Sequence, residues 1–384
     1  MHTRWSPRDE HLAGWFSLIT SIDLIDLIDG LSSESRARSV SRVEPGTYES
    51  VDEQRFVAMV DGHRHELQVH CYRMLGSYED AEDLVQETFL RAWRKRDTFQ
   101  GRSTFRAWLH RIATNACLDF LARNPRQPRG SQVAATSGTS SQSPDAVPWL
   151  QPYPDRMLER AAPSEAEPDA AVVAKETIEL AFLVAIQYLP PKQRAVLILR
   201  DVLGWPASET SDLLEVSVAS VNSALQRARV TLKEHLPPSR IEWAPAEDPT
   251  EAERALLHRY MSALERADTA AMVDLLHEDV RVTMPMLVSC VPGDPDPLWN
   301  GRDSFIAGLV QAFDPASPAY FGQWRSVSTR ANRQPALAHY IRPPGGRAFE
   351  AKVLDLLQIA DGRIVEITSF PAELFPAFGL PPTL

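Results

Sequence analysis

Apolar residues recur at helical spacing in three blocks of the chain, and strand-like runs replace that spacing only near its end. In the first block Val85, Phe89 and Trp93 return every four residues and form a stripe, with Asp83, Glu87, Leu90 and Arg94 on the opposite side. A second helix follows, whose Phe105, Leu109, Ile112 and Ala116 face a core and leave Trp108, Arg111, Asn115 and Leu118 along an outward edge. In the next block Ile178, Phe182, Ala185 and Leu189 keep the spacing up to Pro190-Pro191, and two short helices then meet at a turn. Ser217 is a suitable N-cap for the second of these, with Val218, Val221, Leu225, Ala228 and Leu232 directed toward the core. Its other face carries Ala219, Ser220, Ser223, Gln226 and Arg227.

Beyond Pro237-Pro238 the spacing of Ala255, Leu256, Tyr260, Met261 and Leu264 predicts one more helix before strands take over. Strand-like runs cover Val280 to Met284, Ala336 to Ile341, Arg347 to Ile359 and Arg363 to Phe370, and Asp361-Gly362 predicts a tight hairpin between the last two. Helices followed by antiparallel strands give an α+β order for residues 250–384. The first fifty residues read as a flexible extension with a short amphipathic helix, or as a start placed upstream of the one the cell uses. Residues 126–175, rich in Pro, Ser, Gly and Ala, read as a linker. Within it, Val147 to Asp155 sets large apolar groups among prolines. That island is either a clamp on a neighbouring domain or an extended thread.

A net charge of -11 does not suggest a nucleic-acid binder, and 44% hydrophobic residues is ordinary for a globular protein. The distribution of charge changes that picture. An acidic helical face ends in Arg94, Lys95 and Arg96, and Arg102, Arg106 and Arg111 follow, as a nucleic-acid footprint requires. Trp15 to Gly30 is too short and too charged to span a bilayer and has no basic leader, so no membrane association is expected. Cys71, Cys117 and Cys290 are far apart and lack metal-type spacing, which fits a reduced cytoplasmic compartment. His63 and His65 point apart on a helix, so no metal and no cofactor is expected.

The stretch from Asp80 to Arg123, DAEDLVQETFLRAWRKRDTFQGRSTFRAWLHRIATNACLDFLAR, closely resembles region 2 of the extracytoplasmic-function sigma factors. LPPKQRAVLILRDVLGWPASET and SVNSALQRARVTLKEHL resemble their region 4, a helix-turn-helix. The resemblance implies an all-α region 2 (51–125), an all-α region 4 (176–238) and an α+β cone, or SnoaL-like, domain (250–384). The whole order resembles the actinobacterial factors of the mycobacterial sigma G type. It implies core RNA polymerase and promoter DNA as partners, with Asp80, Asp83, Gln86 and Glu87 at the polymerase. Phe99, Gly101, Arg102, Ser103, Arg106, Trp108, Arg111 and Asn115 would meet a single-stranded −10 element, and Ser220, Asn222, Ser223 and Arg227 a duplex −35 element. A base taken out of the stack must recover a few kcal/mol, and the Phe99 ring with adjacent hydroxyls suits that task. Two departures stand out. Glu215 occupies a turn where the family usually has glycine, and Asn222 stands where a basic residue is common.

In the cone domain Asp279, His277, His339 and Glu350 are available, yet no acid-base pair stands out by spacing, so no catalytic residue is assigned. Met284, Met286, Trp299, Trp324 and Tyr340 either line a ligand pocket or form core. The expected function is a non-enzymatic promoter-specificity factor, regulated by its own C-terminal domain through contact with the helical regions or the linker. A ligand-sensing helix-turn-helix regulator and a DNA-tethered SnoaL-like enzyme are the competing classes.

Overall fold

A computed structural model describes residues 48–99, 104–126, 128, 147–158, 178–236, 250–285 and 299–384. The expected extension up to residue 47, most of the linker, Gly101, Arg102, Ser103, Met286 and Cys290 lie outside the described residues. The helical half begins with α1 (Tyr48–Asp61), α2 (Arg64–Leu75), α3 (Tyr78–Arg94) and α4 (Phe105–Arg123). Gly76 turns the chain between α2 and α3 at φ 70°, a conformation that side chains with a Cβ resist. Ser77 then caps α3 by accepting from Asp80 N, and Thr104 caps α4 by accepting from Ala107 N. The expected stripes are buried at Val85, Phe89, Leu109, Ile112 and Ala116, and half-buried at Trp93 and Phe105. Cys71 and Cys117, distant in sequence, are both free and buried, and burial, with Cys71 acting in the same direction, raises the Cys117 thiol pKa.

After the short α5 (Asp155–Leu158) come α6 (Leu180–Gln187) and α7 (Pro191–Leu197), which opens with Pro191 at its first position and runs into a π-type turn over Ile198–Val202. Then α8 (Ala207–Leu214) and α9 (Val218–His235) form the helix-turn-helix. Ser217 caps α9 as expected, and Val221, Leu225 and Ala228 are buried. Val218, expected in the core, is 43% exposed at the first position of α9.

The C-terminal domain opens with a complete capping box, Thr250 and Glu253, on α10 (Glu251–Glu265). It continues through α11 (Thr269–Leu275), β1 (Leu276–Thr283), β2 (Trp299–Asn300), α12 (Arg302–Phe313), β3 (Gln323–Ala331), β4 (Gln334–Arg342), β5 (Glu350–Ala360) and β6 (Arg363–Pro371). The six strands lie in the order β2-β1-β6-β5-β4-β3. The sheet is mixed: β1 pairs parallel to β6, and the remaining pairs are antiparallel. His277 lies in β1, which follows α11 without a connecting loop. One face of the sheet buries Leu337, Leu357 and Ile367 with Leu256 and Tyr260 of α10. The opposite face meets the closing helical turn Ala372–Phe378, where Phe375 packs edge-on against Tyr340 at 5.2 Å.

Candidate polymerase and nucleic-acid interface

On α3, Asp83 is exposed and Gln86 and Glu87 are half-buried; Asp83 and Glu87 lie away from the apolar stripe, and Gln86 borders it beside Trp93. Glu87 accepts from Arg91 Nε at 2.7 Å, and Arg91 also reaches Asp119 at 3.1 Å. Asp80 is neutralised by Arg126 at 2.6 Å. Partial desolvation by its helix surroundings pushes the Asp83 carboxyl up, and Asp80 and Glu79 push in the same direction. The surface is therefore acidic at its centre and neutralised at its ends.

Phe99, Phe105 and Trp108 form an aromatic cluster with ring centroids 5.4–5.5 Å apart. Such a platform can stack an unpaired base. Arg106 donates to Glu66 Oε1 at 2.5 Å in the free chain. Arg111 is also engaged: its Nη2 donates to Asp212 O in the last turn of α8 at 2.9 Å and to Glu215 Oε1 at the turn that follows at 3.1 Å. Beside it Trp205 packs on the His110 ring at 5.3 Å, and Ala107 joins the cluster of Leu199, Trp205 and Leu213. The outward edge of α4 is thus covered at Arg111 by the helix-turn-helix. Asn115 remains half-buried. On α9, Ser220, Asn222, Ser223 and Arg227 are exposed, with Arg227 donating to Ser223 Oγ at 2.6 Å.

The two helical domains are joined by a buried cation that spacing did not single out. Arg194, fully buried, donates to Met74 O at the end of α2, to Gln187 Oε1 at 2.7 Å, to Gln187 O at 2.9 Å and to Leu189 O at 3.1 Å. Burial without a carboxylate lowers its pKa to about 9. Carbonyls at a helix C-terminus are suitable partners for a guanidinium.

The island Val147 to Asp155 is packed, as its clamp reading expects: Val147, Leu150 and Tyr153 are fully buried. Gln151 reads the α2–α3 corner with its whole amide. Oε1 accepts from Ser77 Oγ and Glu79 N, each at 3.0 Å, and Nε2 donates to Glu79 Oε2 at 2.7 Å. Tyr153 rests on Tyr72 and Tyr78, with centroids 4.9 and 5.5 Å away. The far side of this segment is held by the C-terminal domain. Asn332, at the tip of the β3–β4 hairpin, is buried with φ 52°. Its Nδ2 donates to Tyr72 OH at 3.0 Å and to Ile178 O at 2.6 Å, and its Oδ1 accepts from Tyr153 N at 2.8 Å. One side chain therefore touches the first helical domain, the linker and the start of the second. Asp155 completes the junction, accepting from Arg333 N at 2.8 Å and from Arg330 Nε at 3.2 Å.

Among the described residues of the expected pocket, Trp324 and Tyr340 lie on opposite faces of the sheet. Trp324 pairs with Ile341 across the strands, so Tyr340 points through the opposite face. Trp324 meets Phe313, Phe321 and His339, whereas Tyr340 meets Phe375 and donates to Pro381 O at 2.9 Å. Trp299 packs near Phe305, and Met284 is half-buried. His339 is fully buried, with Nδ1 2.8 Å from Ser326 Oγ and Nε2 3.2 Å from Asp355, and holds adjacent strands together.

Three family models match the chain: sigma-70 region 2 over residues 59–127, sigma-70 region 4 over 179–232 and a SnoaL-like domain over 257–367. Two helical promoter-binding modules and an appended α+β domain define a transcription-initiation factor. The ECF RNA polymerase sigma factor SigG of Mycobacterium tuberculosis is 41% identical over 344 residues, 88% of this chain and 87% of that protein. SigW of Bacillus subtilis is 32% identical over 48% of this chain and 90% of its own length. The crystal structure of Mycobacterium tuberculosis SigJ covers 84% of this chain and 99% of its own, at 23% identity and a TM-score of 0.49. This chain belongs to the extracytoplasmic-function RNA polymerase sigma factors, which bind core polymerase and promoter DNA and are not enzymes.

Proposed function

We propose that the free factor is held closed by its C-terminal domain and opens to engage polymerase and promoter in the cytoplasm. Asp80, Asp83, Gln86 and Glu87 then meet the polymerase. Phe99, with Trp108 beside it, stacks an extruded −10 base that Arg111 and Asn115 help to hold. Gly101, Arg102, Ser103 and Arg106 supply the remaining −10 contacts, and Ser220, Asn222, Ser223 and Arg227 read the −35 duplex.

The observation that carries this reading is the bond from Arg111 to Asp212 O at 2.9 Å. Promoter elements named −10 and −35 lie roughly 80 Å apart along B-form DNA, so two domains in contact cannot occupy both. Closure and promoter binding are mutually exclusive. Asn332 supports the regulatory part, because it ties the hairpin to both helical domains and the linker at once.

Asn332→Gly tests it while leaving the left-handed turn unstrained. Loss of three side-chain hydrogen bonds weakens the closed form by roughly 2–4 kcal/mol. Transcription in vitro with core polymerase should rise several-fold over the unmodified chain. Equal output from the two proteins would refute regulation by the C-terminal domain.

A further inference from the structure

A cleft of about 530 Å³ opens where the linker meets the C-terminal domain, a volume suited to a small organic ligand. Its polar lining is one-sided. Arg156, Arg254, His258 and Arg330 face a single carboxylate, Asp155. That carboxylate is already engaged, with one oxygen on Arg333 N and the other on Arg330 Nε. Arg330 keeps a second guanidinium nitrogen, Nη1, with no acceptor. Arg254 and His258 are exposed, and neither side chain has an ion pair among the described residues. A chain with net charge -11 has here a local surplus of cations. Ser328 and Thr329 complete the polar lining, and its apolar part includes Leu257, Met261 and Phe378. A second cleft, of about 340 Å³, shares His258 and continues the basic surface to Arg259 and Arg266.

We propose that this cleft binds an amphiphilic carboxylate, its headgroup on Arg254, His258 and Arg330 and its apolar body against Leu257, Met261 and Phe378. The residues of the sheet interior, Trp324 and His339, do not line it. Two sides of the cleft belong to different segments: Pro154, Asp155 and Arg156 come from the linker, the others from α10, β3, β4 and the C-terminal turn. A ligand that needs both sides binds the closed form and not the open one, and so shifts the population toward closure. It acts as a co-repressor, an inference that rests on the regulatory reading above.

Titration calorimetry on the full chain tests the site, with decanoate as the anionic probe and decyltrimethylammonium as a cation of equal chain length. Saturable one-to-one binding of decanoate is expected, with none for the cation. Arg254→Glu combined with His258→Glu places negative charge at the headgroup position without touching the hydrogen bonds of Asn332, and should weaken decanoate by about tenfold or more. Undiminished binding to that variant, equal binding of the cation, or no decanoate binding at millimolar concentration overturns the site. Transcription separates the two ideas. Decanoate should lower the output of the unmodified chain and have less effect on Asn332→Gly. If Asn332→Gly raises output while decanoate neither binds nor represses, the ligand site alone is wrong. If Asn332→Gly leaves basal output unchanged, the regulatory reading falls, and the co-repressor role falls with it.

Discussion

Glu215 shows how one residue can be unfavourable locally and useful at distance. At φ 55° and ψ 44° it closes α8 in the left-handed region, where a side chain costs on the order of 1 kcal/mol relative to glycine. Its carboxylate, 3.1 Å from Arg111, returns part of that cost, but both side chains are largely exposed, and such pairs contribute about 0–1 kcal/mol. Strain and ion pair therefore nearly offset each other, with salt deciding the sign. Glu215→Gly should raise the unfolding free energy by about 1 kcal/mol in molar salt and by less at low ionic strength. A double-mutant cycle with Arg111→Ala, followed by urea unfolding at both salt concentrations, measures the coupling. A gain unaffected by salt and by Arg111 would show that the carboxylate takes no part in closure.

At the scale of elements, the two hairpins of the sheet explain what sequence reveals and what it hides. Asp361-Gly362 joins β5 to β6 with φ of 50° and 70°, and the glycine announces that turn. Asn332-Arg333 joins β3 to β4 with φ of 52° and 62°, but without glycine and after the largely polar strand Gln323–Ala331, so neither β3 nor its turn stands out. The helices were legible because Val85 and Phe89, or Val221 and Leu225, satisfy their burial within one element. The junction was not, because its partners are far apart: Tyr72 and Asn332 are separated by 260 positions. Spacing likewise hid that Trp324 and Tyr340, grouped by residue type, lie on opposite faces of the sheet, since Trp324 pairs with Ile341 and Tyr340 is its neighbour along β4. The linker island, whose composition left two readings open, acts as an element through Gln151. Gln151→Ala leaves Ser77 Oγ, Glu79 N and the Glu79 carboxylate without their shared partner, and should cost about 2–3 kcal/mol in urea unfolding. A loss under about 0.5 kcal/mol, ordinary for a surface change, would mean that the segment merely rests on the corner.

For the whole molecule, acid sensitivity is concentrated where α2, α4 and the helix-turn-helix domain meet. His70, fully buried, lies 2.9 Å from Thr114 Oγ1 and edge-on to His110 at 5.1 Å, and His110 in turn carries Trp205. Burial lowers the His70 pKa well below 6.5; His110, Arg73 and Arg106 add to that, and only Glu66 opposes it. As pH falls below 6.5 the unfolded chain takes up a proton that the folded chain refuses, so this group's contribution to stability declines by up to about 1.4 kcal/mol per pH unit until the folded imidazole titrates. Asp155 acts with the opposite sign, because burial raises its carboxyl pKa and the folded state keeps the proton longer above pH 3.8. Comparison with His70→Gln, which retains a donor for Thr114, isolates the imidazole from every other carboxyl and histidine. Denaturant unfolding of both proteins between pH 7 and 5 should show the unmodified chain losing stability faster, with the difference growing steadily below pH 6.5. Parallel curves would mean that His70 takes its proton without disturbing the packing on which closure depends.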